Sequence, residues 1–445
     1  MIHPAAAFLG AMTLLPVGID DQDQPSGAPA QLSRLGDSPA SNGSAFVCAV
    51  PDLNGDGAGE VLVGAPMNGR EARGRVQLLS GKDGEVLGTW VGEERQGRLG
   101  SAVAAWQGPE GEVVLAFGEP GSLGGRGRVG LVRGLEAESV LWVEGAEGQV
   151  AFGFALAAGG DATGDGHADL VVGAPAAAGG GSVSLLDVSL VDGASPEVRW
   201  RVDAPEAVGH FGFDVALAPD LNGDGRAEVV VGHLGVGAAV LSGADGARLF
   251  DLGGAALGVR IGDSVAVLER PSKAPLIVVG SGGDPGQGHT AETPGVPDPG
   301  IFVFDPRTRE PAEDARFAIP GHLLHSTTVG MRVRSTADFD GDGHEDLAVC
   351  QPNGYLIYGG SGRIDLRSGA SDTKLGSTYY GGVGLEFLAW RFGTDACSIQ
   401  VDGEPALVVA TPAMGGVVAV RAGAEIGASQ DRSHTLPIVW VRKDR

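Results

Sequence analysis

One short apolar run, closed by a Gly-x-Pro-like stop, returns along the whole chain. It reads VLVGAP at 61–66, VLAFGEP at 114–120, LVVGAP at 170–175 and VVVGHL at 229–234. LIVVGS at 276–281, LAVCQP at 347–352 and LVVATP at 407–412 continue it. Internal repetition constrains a fold more than any single motif: each unit cannot bury its hydrophobic face alone and must stack on its copies. Proline cannot donate to a sheet ladder, so the stop ends a strand. The period is roughly 50 to 70 residues.

Three further strands are legible in each unit. One follows the stop and usually opens on Gly: GRVQLLSG at 74–81, GRVGLVRG at 127–134, GSVSLLD at 181–187, GAAVLSG at 237–243, GIFVFD at 300–305, GYLIYGG at 354–360 and GVVAVRAG at 416–423. Most alternate with period two. Another carries an aromatic (Trp90, Trp142, Trp200, Phe250, Phe317 and Trp440), with no clear one in the sixth copy. The strand before the apolar run is heralded by a bulky residue and Gly, as at Leu99-Gly100, Phe152-Gly153, Phe211-Gly212, Leu257-Gly258, Val329-Gly330 and Val383-Gly384. Gly makes up 77 of 445 residues, about twice the usual share, as many tight turns between many short strands require. Four strands per unit and seven units predict an all-β, seven-bladed β-propeller of four-stranded antiparallel blades across residues 31–445, with a linear solenoid as the alternative. Ring closure is open between a strand around Trp440 and one drawn from residues 30–40.

Four units carry a nine-residue loop with oxygen ligands at alternate positions. The sets are Asp52, Asn54, Asp56, Ala58 and Glu60; Asp161, Thr163, Asp165, His167 and Asp169; Asp220, Asn222, Asp224, Arg226 and Glu228; and Asp338, Asp340, Asp342, His344 and Asp346. The residue at position seven would offer only its backbone carbonyl, so Ala, His and Arg are interchangeable there. Convergent carboxylates repel one another without a cation. A hard cation with flexible oxygen coordination, Ca²⁺ rather than Mg²⁺, suits them, giving up to four Ca²⁺ ions. Asn, Asp and Gly are also plain turn formers. Against that reading, the second, fifth and seventh units join the same strands through WQGPEGEV, LERPSKAPL and VDGEPAL without the ligand ladder. The Asp338 loop, with four carboxylates, is expected to bind most tightly, and the Asp161 loop, weakened by Thr163, least.

Phe-Gly at one end of the unit, Gly-Ala-Pro near its middle and a DxNxDGxxD-like loop between them resemble FG-GAP repeats, the units of the integrin α-subunit N-terminal propeller and its bacterial relatives. The first, third and fourth copies carry the resemblance most strongly. It implies a seven-bladed propeller with Ca²⁺ in a subset of blades, and it points to protein partners. Glu60 and Glu228 stand where that family prefers Asp.

A net charge of −25 excludes a nucleic-acid footprint, and 13 of the 56 acidic residues belong to the four loops. The N-terminal MIHPAAAFLGAMTLLPVG has a signal peptide's apolar core without its basic start. Residues 1–30 are therefore read as a signal peptide and leader, a mis-called start or a disordered tail being the alternatives; no other segment suits a membrane span. Cys48, Cys350 and Cys397 fit buried free thiols, or one disulfide with a thiol left over. GRGRVG at 125–130 matches a nucleotide-loop pattern, but no helix follows. His322, His325 and His289 read as loop residues, and the insertion at 282–299 and the stretch 361–380, with Tyr379 and Tyr380, as candidate partner-binding loops. No HExxH, GxSxG or Ser/His/Asp order occurs, so no catalytic residue or organic cofactor is assigned. The expectation is a secreted, periplasmic or cell-surface Ca²⁺-binding adhesion module, not an enzyme, that meets a protein or glycan at a propeller face. The alternative is an extracellular polysaccharide-active enzyme or glycan-binding propeller using the central funnel or one face.

Overall fold

The computed structural model describes residues 33–35 and 45–421, apart from 70, 109–110, 136–138, 177–178, 190–194, 205–209, 254–260, 271–272, 281–299, 310, 319–331, 352–362, 371–373, 380–393 and 412–415. The strands are β1 (Ser33–Leu35), then β2 (Phe46–Val50), β3 (Glu60–Ala65), β4 (Arg75–Leu79) and β5 (Val86–Val91) in blade one. Blade two has β6 (Val103–Gln107), β7 (Val113–Glu119), β8 (Arg128–Arg133) and β9 (Leu141–Glu144). Blade three has β10 (Ala155–Ala158), β11 (Asp169–Ala174), β12 (Ser182–Asp187) and β13 (Glu197–Asp203). Blade four has β14 (Phe211–Ala218), β15 (Glu228–His233), β16 (Gly237–Leu241) and β17 (Arg248–Gly253). Blade five has β18 (Ser264–Leu268), β19 (Leu276–Gly280), β20 (Gly300–Phe304) and β21 (Pro311–Ala318). Blade six has β22 (Arg332–Thr336), β23 (Asp346–Gln351), β24 (Arg363–Arg367) and β25 (Lys374–Tyr379). The chain then gives β26 (Ala396–Val401), β27 (Glu404–Thr411) and β28 (Gly416–Arg421).

Neighbouring strands within each sheet pair antiparallel, so the fold is an all-β propeller of four-stranded antiparallel blades. Six blades, not the seven expected, are runs of four consecutive strands. The sheet that closes the ring is a composite: β26, β27 and β28 take β1 as their fourth strand, with Ser33 opposite Ala419. The alternative closing strand, around Trp440, lies outside the described residues. First strands contact one another in turn, and β26 meets β2, so they surround a common axis.

The second strands explain this architecture. β7, β11 and β15 are buried at every residue, because each central strand is covered by a blade on both faces. Blades approach closely at the Phe-Gly and Gly-Ala-Pro segments. Gly74 bridges Leu99 of the next blade, Gly127 bridges Phe152 and Gly181 bridges Phe211. The fourth-strand aromatics pack inward: Phe117 lies between Trp90 (5.5 Å) and Trp142 (6.0 Å), and Trp200 Nε1 donates to the Gly243 carbonyl of blade four at 2.7 Å.

Blade six corrects the sequence reading. Its third strand is β24, not GYLIYGG at 354–360, and 374–379 form its fourth strand, so 361–380 is not a loop. RIDLR alternates with period two, and Ile364 and Leu366 are buried. Tyr379 therefore lies in a strand, while Tyr380, the insertion at 282–299, His289, His322 and His325 lie outside the described residues. Cys48, Cys350 and Cys397 are free thiols, as the first of the two readings had it.

Candidate metal centre

Each ligand loop joins the first strand of its blade to the second: β2 to β3, β10 to β11, β14 to β15 and β22 to β23. The four share one hydrogen-bond scheme. The Asp at position one accepts from two glycines through both its oxygens: Gly55 (2.7 Å) and Gly57 (3.0 Å) on Asp52, Gly164 (2.5 Å) and Gly166 (2.8 Å) on Asp161. Gly223 (2.6 Å) and Gly225 (2.8 Å) do so on Asp220, and Gly341 (2.6 Å) and Gly343 (2.7 Å) on Asp338. The Asp at position five accepts from the N–H of position seven at 2.9 Å in every loop: Ala58, His167, Arg226 and His344. The glycines adopt positive φ, which the repeated turn demands. Each loop is thus shaped by its own backbone; the position-one Oδ1 also accepts from the position-five N–H at 3.1–3.2 Å, so it is Oδ2 that keeps a lone pair free.

Position nine sets these loops apart from ordinary turns. Glu60, Asp169, Glu228 and Asp346 each open a central strand and are 0–1 % exposed. Each accepts from backbone N–H groups at the loop start: Leu53 (2.8 Å), Ala162 (2.8 Å) and Phe339 (2.7 Å) donate to Glu60, Asp169 and Asp346, and Leu221 donates to Glu228. None forms an ion pair among the described residues. Burial pushes the carboxyl of Glu60 up, that of Asp169 up to about 6, and those of Glu228 and Asp346 up to about 7. A buried carboxylate without a counter-charge is costly. Where the ladder is missing, the same strand opens on Val113 in blade two and Leu276 in blade five. At position one, Asp220 behaves oppositely: the N–H of Gly225, then those of Gly223, Asn222 and Asp224, holds it below the usual carboxylate range.

The loops differ in how far their ligands converge. Oxygens of Asp220, Asp224 and Glu228 lie within 4.8 Å of one another, as do those of Asp338, Asp340 and Asp346. Asn222 Nδ2 bridges Asp224 (3.1 Å) and Glu228 (2.7 Å), so one donor already points at the spot where those carboxylates meet. Asp342 stands apart from its cluster, accepting from Ser368 Oγ at 3.1 Å. Asp52, Asp56 and Glu60 do not converge as tightly; Asp56 is drawn to Ser80 Oγ (3.1 Å) and Asn54 Nδ2 (2.9 Å), and Lys82 Nζ donates to its carbonyl. Nor do Asp161, Asp165 and Asp169, yet Thr163 Oγ1 and Asp169 Oδ1 are buried without a hydrogen bond of ordinary geometry. Such orphaned oxygens in an acidic loop fit a hard cation.

At position seven the side chains do more than the carbonyl-only reading asks of them: Ala58 is buried in the core, and Arg226 reaches out of its loop. Its guanidinium reaches back to blade three and donates to the Thr163 carbonyl, fixing a cation beside the Asp161 loop. Nothing in a ligand-ladder pattern signals a contact between residues 63 positions apart.

The FG-GAP repeat family model matches residues 45–79 and 152–186, the first three strands of blades one and three with their loops. The chain is also similar to phosphatidylinositol-glycan-specific phospholipase D of Rattus norvegicus, 32% identical over 203 residues that cover 38% of this chain and 24% of that protein. The same enzyme of Bos taurus is 32% identical over 181 residues, covering 35% and 21%. The chain thus spans about a quarter or less of the length of these curated relatives. Both are enzymes by name, which lends the non-enzyme expectation no support and stands slightly against it. Among solved structures, the Neurospora crassa Pan2 WD40 domain is similar with a TM-score of 0.48 and 11% identity, over 86% of this chain and 91% of that one. With the matched units laid out on four-stranded antiparallel blades around a common axis, the chain is a β-propeller that carries FG-GAP repeats in blades one and three.

Proposed function

We propose that this chain is a Ca²⁺-stabilised interaction module working outside the cytoplasm, at a cell surface or after secretion. One observation carries the reading. Four buried, uncompensated carboxylates sit at the ends of four oxygen-rich loops, and in two loops the acidic oxygens already converge. A cation bound there would tie the first strand of a blade to the second and stabilise the folded state by mass action. Simple loops of this kind suit the roughly 10⁻⁴ to 10⁻³ M affinities of extracellular Ca²⁺ modules. The partner, a protein or a glycan, would meet a propeller face. A cavity of about 570 Å³ lined by Pro120, Pro175, Phe154, Phe213 and His210 offers an apolar place for it. Calorimetric Ca²⁺ titration of the chelator-stripped chain, paired with thermal melts, tests the metal reading. Binding with a raised melting temperature is expected. No heat at millimolar Ca²⁺ would reduce the loops to turns.

A second reading rests on the similarity to the phospholipase D relatives over about a third of this chain: the propeller accompanies or contributes to an enzymatic activity. Assay of the chain against glycosylphosphatidylinositol-linked and plain phospholipids separates the two, since an interaction module alone would hydrolyse neither.

A further inference from the structure

The first strands of all the sheets line a cavity of about 350 Å³ on the propeller axis. Its walls are mostly Ala, Val and Leu, but β22 contributes two guanidinium groups, and two carboxylates face them. The pair of arginines is not equivalent. Arg334 is clamped: its Nε donates to Asp395 Oδ1 at 3.0 Å and its Nη1 to Asp214 Oδ2 at 3.3 Å and to the Val333 carbonyl at 3.0 Å. Those carboxylates are themselves anchored, Asp214 by Ser264 Oγ (2.7 Å) and the Val265 N–H (3.1 Å), Asp395 by the Val47 N–H (3.3 Å).

Arg332 is different. It makes no hydrogen bond among the described residues, and its nearest carboxylate oxygen, Asp395 Oδ2, is 3.9 Å away. Its side chain is 24% exposed, toward the cavity, and the guanidinium stacks over Phe46 at 4.6 Å. A guanidinium presents five donors in a planar fork, and leaving them unmade in a half-buried site is costly. Here the Phe46 ring covers one face of the guanidinium, which lines the cavity.

We propose that the axial cavity binds a small molecule carrying a single carboxylate, with the Arg332 fork as its anchor and the apolar walls, Phe46 and Phe154 among them, around its body. A carboxylate matches the planar fork in two parallel bonds. The four charged groups sum to zero, so a monocarboxylate leaves the site one charge negative, offset locally by its contact with the Arg332 fork, whereas a phosphate dianion would leave it two charges negative beside Asp395. The volume lies at the small end of ligand cavities, about 300–1,000 Å³, so the body is small. The cavity's thiols take no part: burial pushes Cys48 up to about 12 and raises Cys397 well above the ordinary range.

The test is calorimetric titration of the full chain with acetate, butyrate and benzoate, and with inorganic phosphate, at constant Ca²⁺. At least one monocarboxylate should bind in preference to phosphate, and Arg332→Gln should weaken it by about tenfold or more, the worth of a charge-assisted hydrogen bond. Arg332→Lys, which keeps the charge and loses the fork, should fall between the two, with its melting temperature confirming the fold. Absence of monocarboxylate binding at millimolar concentration, equal binding by Arg332→Gln, or preference for phosphate would each overturn the assignment. None of those results bears on Ca²⁺ binding at the loops, which lie off the axis.

Discussion

Gly118 of blade two lies against the backbone of Gly153 in blade three so closely that a Cβ on Gly118 would stand 1.8 Å from the Gly153 carbonyl oxygen. The Gly-Ala-Pro segment of one blade and the Phe-Gly segment of the next are thus two halves of one contact. Gly64 and Gly100 repeat it, at 2.2 Å. Neither atom belongs to a flexible side chain, so the clash has no cheap relief. Gly118→Ala should destabilise the chain by about 3 kcal/mol, the upper end for overpacking. Gly253→Ala, where nothing lies within 4 Å of the added carbon, should stay within about 0.5 kcal/mol. Urea midpoints for both variants measure the difference.

The buried acids at position nine set the pH dependence. Their folded-state affinity for a proton is raised, to about 7 in Glu228 and Asp346 and about 6 in Asp169, above an unfolded value near 4. A raised carboxyl binds its proton more tightly in the folded chain, so stability is present below about pH 4 and is lost as pH rises through 6 to 7. The metal-free chain in chelator should therefore unfold at lower urea at pH 8 than at pH 5. Ca²⁺ needs the ionised form, so its affinity should rise over that same window and binding should release protons. Titrations in two buffers of different ionisation enthalpy count those protons. Melts in chelator that do not change between pH 5 and 8 would sink this account.

The repeat made most of the propeller legible. The second and third strands of blades one to five start within a residue or two of their motifs, because a central strand covered on both faces is an unbroken apolar run. The FG and GAP glycines were visible too, though not that they face each other across blades. Two things were not decided. Closure by a strand from residues 30–40 was one of two options, and it leaves no motif, since Ser33–Leu35 only has to supply three backbone partners to β28. In blade six, GYLIYGG is as apolar and alternating as RIDLR, and only the register on β23 chooses between them. Within the loops, the spacing made legible the shared backbone hydrogen bonds on positions one and five and the burial of position nine. The convergence in two of the four was not legible, because Lys82, Ser80 and Arg226 act from outside the motif.

Arg226 gives the third prediction. Its guanidinium is held at the Thr163 carbonyl and so opposes a cation in the Asp161 loop. A unit charge a few ångströms from the site, in a largely solvated setting, is worth about 1 kcal/mol. Arg226→Gln should accordingly raise Ca²⁺ affinity at that loop roughly three- to tenfold. Titration in a background where Asp338→Asn and Asp220→Asn silence the two converged loops isolates the effect. An unchanged or lower affinity would show that the arginine acts as a strut and not as a competing charge.

On the axis, Arg334 and Arg332 should behave in opposite ways although they are two residues apart on one strand. Asp214 and Asp395 are 5% and 2% exposed, so Arg334→Gln strands two buried carboxylates. Breaking a buried pair from one side costs about 3–5 kcal/mol, and that loss is expected here. Arg332→Gln removes a cation–π contact and a looser charge pairing with Asp395 at 3.9 Å, and should cost about 1 kcal/mol. The pH response separates charge from packing. Burial opposes ionisation of Asp214, but the Arg334 and Arg332 charges outweigh it and hold the carboxyl below its usual range. In the parent chain that group therefore adds stability above the unfolded value near 4 and loses it as pH falls. Without Arg334, the Arg332 charge and the Ser264 and Val265 hydrogen bonds oppose burial less effectively, so the carboxyl moves up and the stability it adds above the unfolded value shrinks. The destabilisation by Arg334→Gln should thus be larger at pH 8 than at pH 4, measured by urea unfolding at each. A cost independent of pH would mean that the guanidinium is filling space between blades rather than compensating charge.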